Sequence, residues 1–201
     1  SGDRRALGLA INTLAWARQL AGDLAAAAED LASALALYRE MGDLRRLMRA
    51  EMMAGDVHTW LEHEAEALGH YEEAMRLAAA VGNPVQEIEV RVALGQALAK
   101  VGRFERAALL LAEAREDAAR LKQDGLGATA TAFLGDIAAW RGSKEEALSL
   151  WAEAHDALER TGTGGVCAEL ALELAELEGG RGTAEGLATA KRLVDAAAAR
   201  A

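Results

Sequence analysis

The chain has 201 residues, of which 32 are acidic and 22 are basic, so its formal net charge at pH 7 is -10. Hydrophobic residues make up 52% of it and charged residues 27%, which is the balance of a folded globular protein rather than of a disordered one. The sequence lacks the uninterrupted run of about 18 apolar residues that a membrane helix needs, so we expect no membrane partner. The acidic charge also argues against nucleic acid as a partner of this segment, because such binding usually leaves a basic patch.

The composition favours helices and a reducing environment. The single cysteine, Cys167, excludes an internal disulfide framework and a cysteine-based zinc site, and it fits a cytoplasmic protein. Alanine, leucine, glutamate and arginine, which are abundant here, lose little side-chain freedom in a helix. Apolar residues recur at helical spacing, for example at Leu24, Ala27, Leu31 and Leu35. The sequence therefore predicts an all-α fold.

Glycines recur at intervals of twenty residues and mark the ends of the predicted helices. A glycine just past a helix end relieves the left-handed backbone of the C-cap. Tight turns at this spacing predict helices of about 16 to 18 residues. Two positions of the series carry Glu62 and Lys122 instead of glycine. The glycines of the series are Gly22, Gly42, Gly82, Gly102, Gly142, Gly162 and Gly182.

Helix starts follow these turns at two clear places. Asn83 offers an N-cap, Pro84 takes the first helical position and Gln86 the third. Residues 143–146, with the sequence Ser-Lys-Glu-Glu, have the form of a capping box. The twenty-residue series of glycines, together with a pattern that repeats every forty residues, predicts one domain. Its repeats lie at about 4–43, 44–83, 84–123, 124–162 and 163–201, and the last is a partial, capping repeat.

Small and large residues hold fixed positions in each unit of forty residues. Gly55, Gly95 and Gly135 occupy one position of the first helices, and Ala15 fills it in the first unit. In the second helices, two aligned alanine positions stand on either side of a large residue. This pattern predicts a close helix crossing, because small residues let two helices approach and the large residue fills the gap between them. These positions hold Ala27, Ala67, Ala107 and Ala147, then Leu31, Tyr71, Leu111 and Trp151, then Ala34, Ala74, Ala114 and Ala154.

The order of these residues resembles the tetratricopeptide repeat (TPR). In the third unit it runs Leu94, Gly95, Gly102, Ala107, Leu111 and Ala114. The unit here is longer than the usual repeat of about 34 residues, and long repeats of this kind resemble those of bacterial LuxR-type and SARP-like regulators. The resemblance implies a right-handed superhelical solenoid of about five antiparallel helix pairs, with the first helices lining a concave face.

No set of residues in the sequence has the pattern of an active site, so we expect no enzyme and no cofactor. His63, Glu66 and His70 share the spacing of one helix face, with His58 nearby. Position 67 is alanine, so His63 and Glu64 do not continue into a zinc-protease motif. A solvated helix face is the simpler interpretation, and we predict no metal site, although binding by the His58, His63 and His70 cluster stays open.

The family resemblance instead predicts a partner-binding groove on the first helices. Only one of its residues is basic, which argues against the clamp that some family members use for a C-terminal carboxylate. Carboxylates mixed with apolar side chains favour a protein or peptide partner with basic or amphipathic character. The predicted groove residues are Asn12, Trp16, Arg49, Met52, Asp56, Glu89, Gln96, Asp136 and Glu169.

Two further expectations concern the exposed surface and the role of the chain. Trp60 and Trp140 stand at the ends of first helices, and we predict that they pack beneath the turns. Ser1-Gly2 without an initiator methionine suggests a fragment of a larger protein. The main hypothesis is a non-enzymatic binding scaffold. The alternative is a ligand-sensing or self-associating segment of a bacterial regulator, in which case a homo-oligomer is possible.

Overall fold

A computed structural model of the chain describes residues 2–161, and within that range it consists of α-helices without a strand. The predicted all-α class is confirmed. The predicted fifth repeat, including Glu169 and Cys167, lies outside the described residues. The helices are α1 (Gly2–Leu20), α2 (Leu24–Met41), α3 (Leu44–Trp60), α4 (Glu64–Val81), α5 (Pro84–Lys100), α6 (Phe104–Arg120), α7 (Asp124–Trp140) and α8 (Lys144–Thr161).

The turns between helices confirm the glycine series. Gly42, for example, adopts φ +63°, and its amide donates to the carbonyl of Arg39 while the next amide donates to Tyr38. These bonds satisfy carbonyls that the helix end leaves without a partner. Glu62 and Lys122, the two exceptions, adopt the same left-handed conformation with φ of 60° and 55°. The turn geometry is therefore common to all positions of the series within residues 2–161, and five of them relieve it with glycine: Gly22, Gly42, Gly82, Gly102 and Gly142.

The helix starts are held by side-chain caps. Asn83 Oδ1 accepts from the amides of Val85 and Gln86, at 3.1 and 3.4 Å, and Pro84 begins α5 as predicted. Asp43 Oδ1 likewise accepts from the amide of Arg46 at 3.2 Å, a cap that the sequence analysis did not single out. The caps satisfy amides that lack a partner within the first turn.

The described helices fall into two compact units, one ending at Arg103 and one beginning at Phe104. In the first unit each helix packs against its neighbours in sequence, and α3 also contacts α1 and α5. In the second unit α7 packs against both α6 and α8. Each unit has a core built largely from alanine and leucine. Sequential packing of this kind is typical of a repeat protein.

The two helices of a pair cross closely where a small residue of one meets a large residue of the other, as predicted. A Cβ atom added to Gly55 would lie 2.8 Å from the ring of Tyr71, and one added to Gly135 would lie 2.5 Å from Trp151. No real Cβ tolerates such distances without a shift of its neighbours. The flanking alanines Ala34, Ala74, Ala114 and Ala154 are fully buried.

The prediction that Trp60 and Trp140 pack beneath the turns is wrong. Their side chains are 68% and 52% exposed. Each is the last residue of its helix, and its ring lies at the surface beside another side chain. The ammonium of Lys100 lies 5.8 Å from the Trp60 ring centre, and the ring of Phe104 lies 5.9 Å from that of Trp140.

Candidate functional site

The first unit contains a pocket of about 540 Å³, a volume within the usual range of ligand sites. Helices α1, α3 and α5, the first helices of three successive repeats, supply nearly all of its lining, and α2 adds one residue. The lining residues are Leu9, Asn12, Tyr38, Arg45, Arg46, Arg49, Met52, Met53, Asp56, Gln86 and Glu89.

The pocket brings together more than half of the predicted groove residues. Asn12, Arg49, Met52, Asp56 and Glu89 line it. The others lie elsewhere: Trp16 is 54% exposed on α1, Gln96 is half-buried on α5, Asp136 belongs to the second unit, and Glu169 is not among the described residues.

The sequence analysis missed four polar or aromatic residues of the pocket. Arg45 and Arg49 are four residues apart, a spacing that places both on one face of α3, and this signal was available in the sequence. Arg46, Tyr38 and Gln86 line the pocket because of how α2, α3 and α5 pack together. The groove positions that the TPR resemblance implies do not include these residues.

The arginines of α3 differ in how far they are already engaged. Arg46 pairs with the carboxylate of Asp43. Arg45 and Arg49 are exposed, and neither forms an ion pair with another described residue. Glu89 on α5 is likewise exposed without such a pair. The pocket therefore offers two guanidinium groups and one carboxylate that can pair with a ligand.

Asp56 is held by the core rather than presented as a free charge. Its Oδ1 accepts a hydrogen bond of 2.5 Å from the hydroxyl of Tyr71, the ring that packs on Gly55. Burial raises the pKa of Asp56, against the opposing effects of the Tyr71 hydroxyl and of the Lys100 charge. Burial and the neighbouring Asp56 charge raise the pKa of Tyr71.

Asp136 repeats this arrangement in the second unit. Its Oδ1 accepts from the indole nitrogen of Trp151 at 2.9 Å. Trp151 packs on Gly135, as Tyr71 packs on Gly55. Both predicted groove aspartates therefore have a structural partner in the core, which the sequence analysis did not anticipate.

Two buried acceptor oxygens at the pocket lack a protein donor. They are Asn12 Oδ1 and Gln86 Oε1, from α1 and α5. The amide nitrogen of Asn12 already contacts the sulfur of Met53 at 3.3 Å. Because leaving a buried acceptor unpaired is costly, a side-chain rotation that brings either oxygen to an N–H group of a ligand would be favourable.

The three histidines do come together, at the end of α3 and the start of α4. The ring of His58 is stacked on that of His70 with centres 5.1 Å apart, and it lies 5.6 Å from that of His63. His70 Nδ1 lies 2.6 Å from the carboxylate of Glu51, which is 1% exposed and also accepts from Arg39 at 2.6 Å.

The histidine cluster is partly buried, and this changes the protonation of His58. Burial lowers the pKa of His58, and the nearby His70 and His63 lower it further, against the opposing charge of Glu66. His58 Nδ1 is buried without a hydrogen-bond partner. Within residues 2–161, no three His, Cys, Asp or Glu side chains are placed to hold a metal ion.

Comparison with known proteins gives the fold. No protein-family model matches the sequence, and no curated protein matches it significantly. Among solved structures, BtubC from P. vanneervenii is 21% identical with a TM-score of 0.73, over 93% of this chain and 76% of that one. The fold is that of the TPR-like helical repeat. YrrB, described as a TPR protein with an unusual peptide-binding site, is 22% identical with a TM-score of 0.51, over 93% and 82% of the two chains.

A Rap protein in complex with Competence and Sporulation Factor shares the fold as well. Its TM-score is 0.81 at 14% identity, over 94% of this chain and 53% of that chain. The chain thus spans about half the length of the Rap protein. Across the described residues, no helix has both the length and the apolar character needed to cross a membrane.

Proposed function

We propose that this chain is a non-enzymatic scaffold that binds a peptide segment of a partner protein in the pocket between α1, α3 and α5. The observation that carries the proposal is the pocket itself, which combines unpaired charges, buried acceptors and apolar side chains on three successive first helices. Two proteins whose fold the chain shares support the proposal: the Rap protein is described in complex with Competence and Sporulation Factor, and YrrB is described with an unusual peptide-binding site.

Main-chain groups of the peptide supply the hydrogen bonds in this proposal. The acceptor oxygens of Asn12 and Gln86 are buried in the free chain, and in this proposal both side chains rotate so that these oxygens accept from peptide N–H groups. An extended segment exposes such groups along its length, because it has no internal hydrogen bonds. Recognition through the main chain secures the segment independently of its side chains.

Side chains of the peptide supply the specificity. Met52 and Met53 are flexible and polarizable, so they adapt to an apolar residue of the partner. Arg45 and Arg49 attract an acidic group, and Glu89 attracts a basic one. The partner is therefore an amphipathic segment of mixed charge. The sequence predicts a partner with basic or amphipathic character, and the two arginines of the pocket add an acidic residue to that description.

The repeat length and composition support two finer proposals. The unit of forty residues favours the long-repeat type of bacterial LuxR-type and SARP-like regulators over the ordinary TPR unit. The single cysteine favours a cytoplasmic location.

A phage-displayed library of random peptides tests the binding proposal. We expect the selected peptides to share an apolar residue and an acidic residue, and to lose at least tenfold in affinity for the Arg49→Glu variant. Arg103→Glu, an exposed arginine outside the pocket, is the matched control and should bind as the wild type does. A library that yields no binder, or binders that Arg49→Glu leaves unaffected, would overturn the proposal.

Charge reversal at Asp56 or Asp136 is unsuitable for this purpose. Both side chains hold an aromatic residue of the core, so their variants would lose stability whether or not the pocket binds a peptide. Arg49 is exposed and engages no described residue, which makes it the more informative position.

A further inference from the structure

Three arginines stand near the start of α3, at the end of the helix where positive charge is unfavourable. Arg45 and Arg46 lie in the first turn, and Arg49 follows one turn later. The backbone amides give the N-terminus of a helix a partial positive charge, so basic side chains there lower its stability. Arg45 and Arg49, four residues apart, also repel each other. The sequence keeps positive charge here against the stability of the helix, which points to a role other than folding.

This charge is specific to the first repeats and is not a requirement of the repeat itself. The residue forty positions before Arg45 is Arg5, whereas Val85 and Gly125 stand forty and eighty positions after it. The helices α4 to α8 each carry an acidic residue in the first turn instead. Arg45 is exposed although a complete helix pair precedes α3. The exposure of this position therefore does not depend on what precedes α1.

Three of the guanidinium groups have no carboxylate to neutralise them. Asp43, the N-cap of α3, pairs with Arg46 and accepts from the amide of that residue. Burial raises the pKa of Asp43, but the hydrogen bonds and charge of Arg46, with the charge of Arg5, lower it by more. Arg5, Arg45 and Arg49 are exposed, and none of them forms an ion pair with another described residue.

A cleft of about 390 Å³ places Arg5 next to the peptide pocket. Arg5 from α1 and Arg45 from α3 both line this cleft, together with the turn that joins α2 to α3. Asp43 lines it as well, with its charge offset by Arg46. Arg45 also lines the peptide pocket, as does Arg49. The three unpaired residues, Arg5, Arg45 and Arg49, therefore form an arginine row that leads from the cleft into the pocket.

We propose that the arginine row binds a phosphoryl group carried by a phosphorylated serine or threonine of the peptide segment. Such a group has a charge of about -1.5 to -2 at pH 7 and three acceptor oxygens, so it engages two or three guanidinium groups at once. A carboxylate has a single charge and would leave most of the row unpaired. This inference rests on the proposed function, and it names the acidic residue that the pocket recognises.

The position of the row beside the peptide pocket favours a phosphorylated segment over a free phosphate ion. Exposed arginines hold a small anion weakly, because water and salt screen the charges. A segment that is already bound in the pocket presents its phosphoryl group at a high effective concentration. Glu89, which lines the pocket from α5, stays available for a basic residue of the same segment.

A peptide selected for the pocket tests the phosphoryl site when its acidic residue is replaced in turn by phosphoserine and by glutamate. In fluorescence anisotropy at neutral pH, we expect the phosphoserine peptide to bind at least tenfold more tightly than the glutamate peptide. Arg5 lines the cleft and not the pocket, so Arg5→Gln should abolish this gain and leave the affinity for the glutamate peptide unchanged. Arg103→Gln, at an exposed arginine outside both, is the matched control and should keep the gain.

A titration with inorganic phosphate separates the site from the peptide. We expect millimolar phosphate to shift the NMR signals of the Nε–H groups of Arg5, Arg45 and Arg49, and acetate at equal ionic strength to leave them in place. Free phosphate that binds as tightly as the phosphoserine peptide would overturn the segment as its source.

The outcomes distinguish the phosphoryl site from peptide binding itself. If neither peptide binds, the proposed function fails, and the phosphorylated segment fails with it. If both peptides bind equally tightly, or if the gain from phosphoserine survives Arg5→Gln, the arginine row is not a phosphoryl site, and peptide binding in the pocket stands.

Discussion

The indole N–H of Trp151 donates to Oδ1 of Asp136 over 2.9 Å while its ring lies against Gly135. In the first unit, Tyr71 makes the same pair of contacts with Asp56 and Gly55. A Gly-Asp dipeptide on the first helix thus accompanies an aromatic residue on the second. Where the second helix carries Leu31 or Leu111, the first helix has Ala15-Trp16 or Gly95-Gln96, so the aspartate is absent when the aromatic residue is absent. The glycine makes room for the ring, and the aspartate satisfies its polar atom.

The effect of Gly135→Ala on stability should change sign with the residue at position 151. With Trp151 present, we expect Gly135→Ala to lower the free energy of unfolding by about 1–3 kcal/mol, because the crossing is overpacked. In a Trp151→Leu background the clash is relieved, and the higher helix propensity of alanine should raise stability by up to about 1 kcal/mol.

Urea unfolding of the wild type, the two single variants and the double variant measures this coupling. Gly69→Ala serves as a control, because a Cβ atom there meets nothing within 4 Å. An equal effect of Gly135→Ala in both backgrounds would show that Trp151 does not require the glycine.

Restoring glycine at the two exceptions of the series should stabilise the chain. Glu62 and Lys122 adopt left-handed conformations, which cost an L-residue about 1–2 kcal/mol. We therefore expect Glu62→Gly and Lys122→Gly each to raise the free energy of unfolding by about 1 kcal/mol, less the entropy that glycine adds to the unfolded chain.

Thermal unfolding gives the measurement for these turn variants. Glu116→Gly, at an exposed position inside α6, should lower stability by about 1 kcal/mol and so controls for the loss of the side chain. Lower melting temperatures for both turn variants would contradict the assignment of strain to these positions.

Acidification should weaken the packing around His58. Burial, with the neighbouring His70 and His63, lowers the pKa of His58 in the folded state, while Glu66 opposes this shift. Between the unfolded pKa of about 6.5 and the lower folded value, the unfolded chain binds a proton that the folded chain does not. This contribution to stability is therefore complete above the unfolded pKa and declines as the pH falls below it.

Urea unfolding at a series of pH values from neutral to mildly acidic tests this linkage. The slope due to His58 is at most about 1.36 kcal/mol per pH unit, and it is smaller because the side chain is partly exposed. His58→Gln should remove this slope from the plot of the free energy of unfolding against pH. An unchanged profile for His58→Gln would refute the assignment.

The turns and helix crossings were predictable because they depend on local chemistry. The left-handed cap at Gly42 involves one backbone position, and the contact of Gly55 with Tyr71 involves one helix pair. Both lie within one unit of forty residues, so the same residue types recur at the same positions along the sequence. The pocket was predictable only in part. Arg46 and Gln86 join Asn12 through the packing of three helices, and no spacing along the chain encodes that packing.

The side-chain arrangements that the sequence does not predict have a common physical cause. Trp60 and Trp140 stand at the ends of first helices, which predicts packing beneath the turns, yet each is the last residue of its helix and its ring lies at the surface. The register of the repeat predicts Asp56 and Asp136 as groove residues, and Asp56 lines the pocket. Their hydrogen bonds to core aromatic residues depend on side-chain geometry that the register does not contain.

The most direct test of peptide binding in the pocket is a charge exchange between Arg49 and a selected peptide. Fluorescence anisotropy would give the affinities of wild-type chain and Arg49→Glu for the peptide and for a version with its acidic residue replaced by lysine. We predict that either change alone weakens binding at least tenfold, about 1.4 kcal/mol, and that the two together restore most of it. Losses that simply add, or no loss with Arg49→Glu, would contradict binding of the peptide at this site.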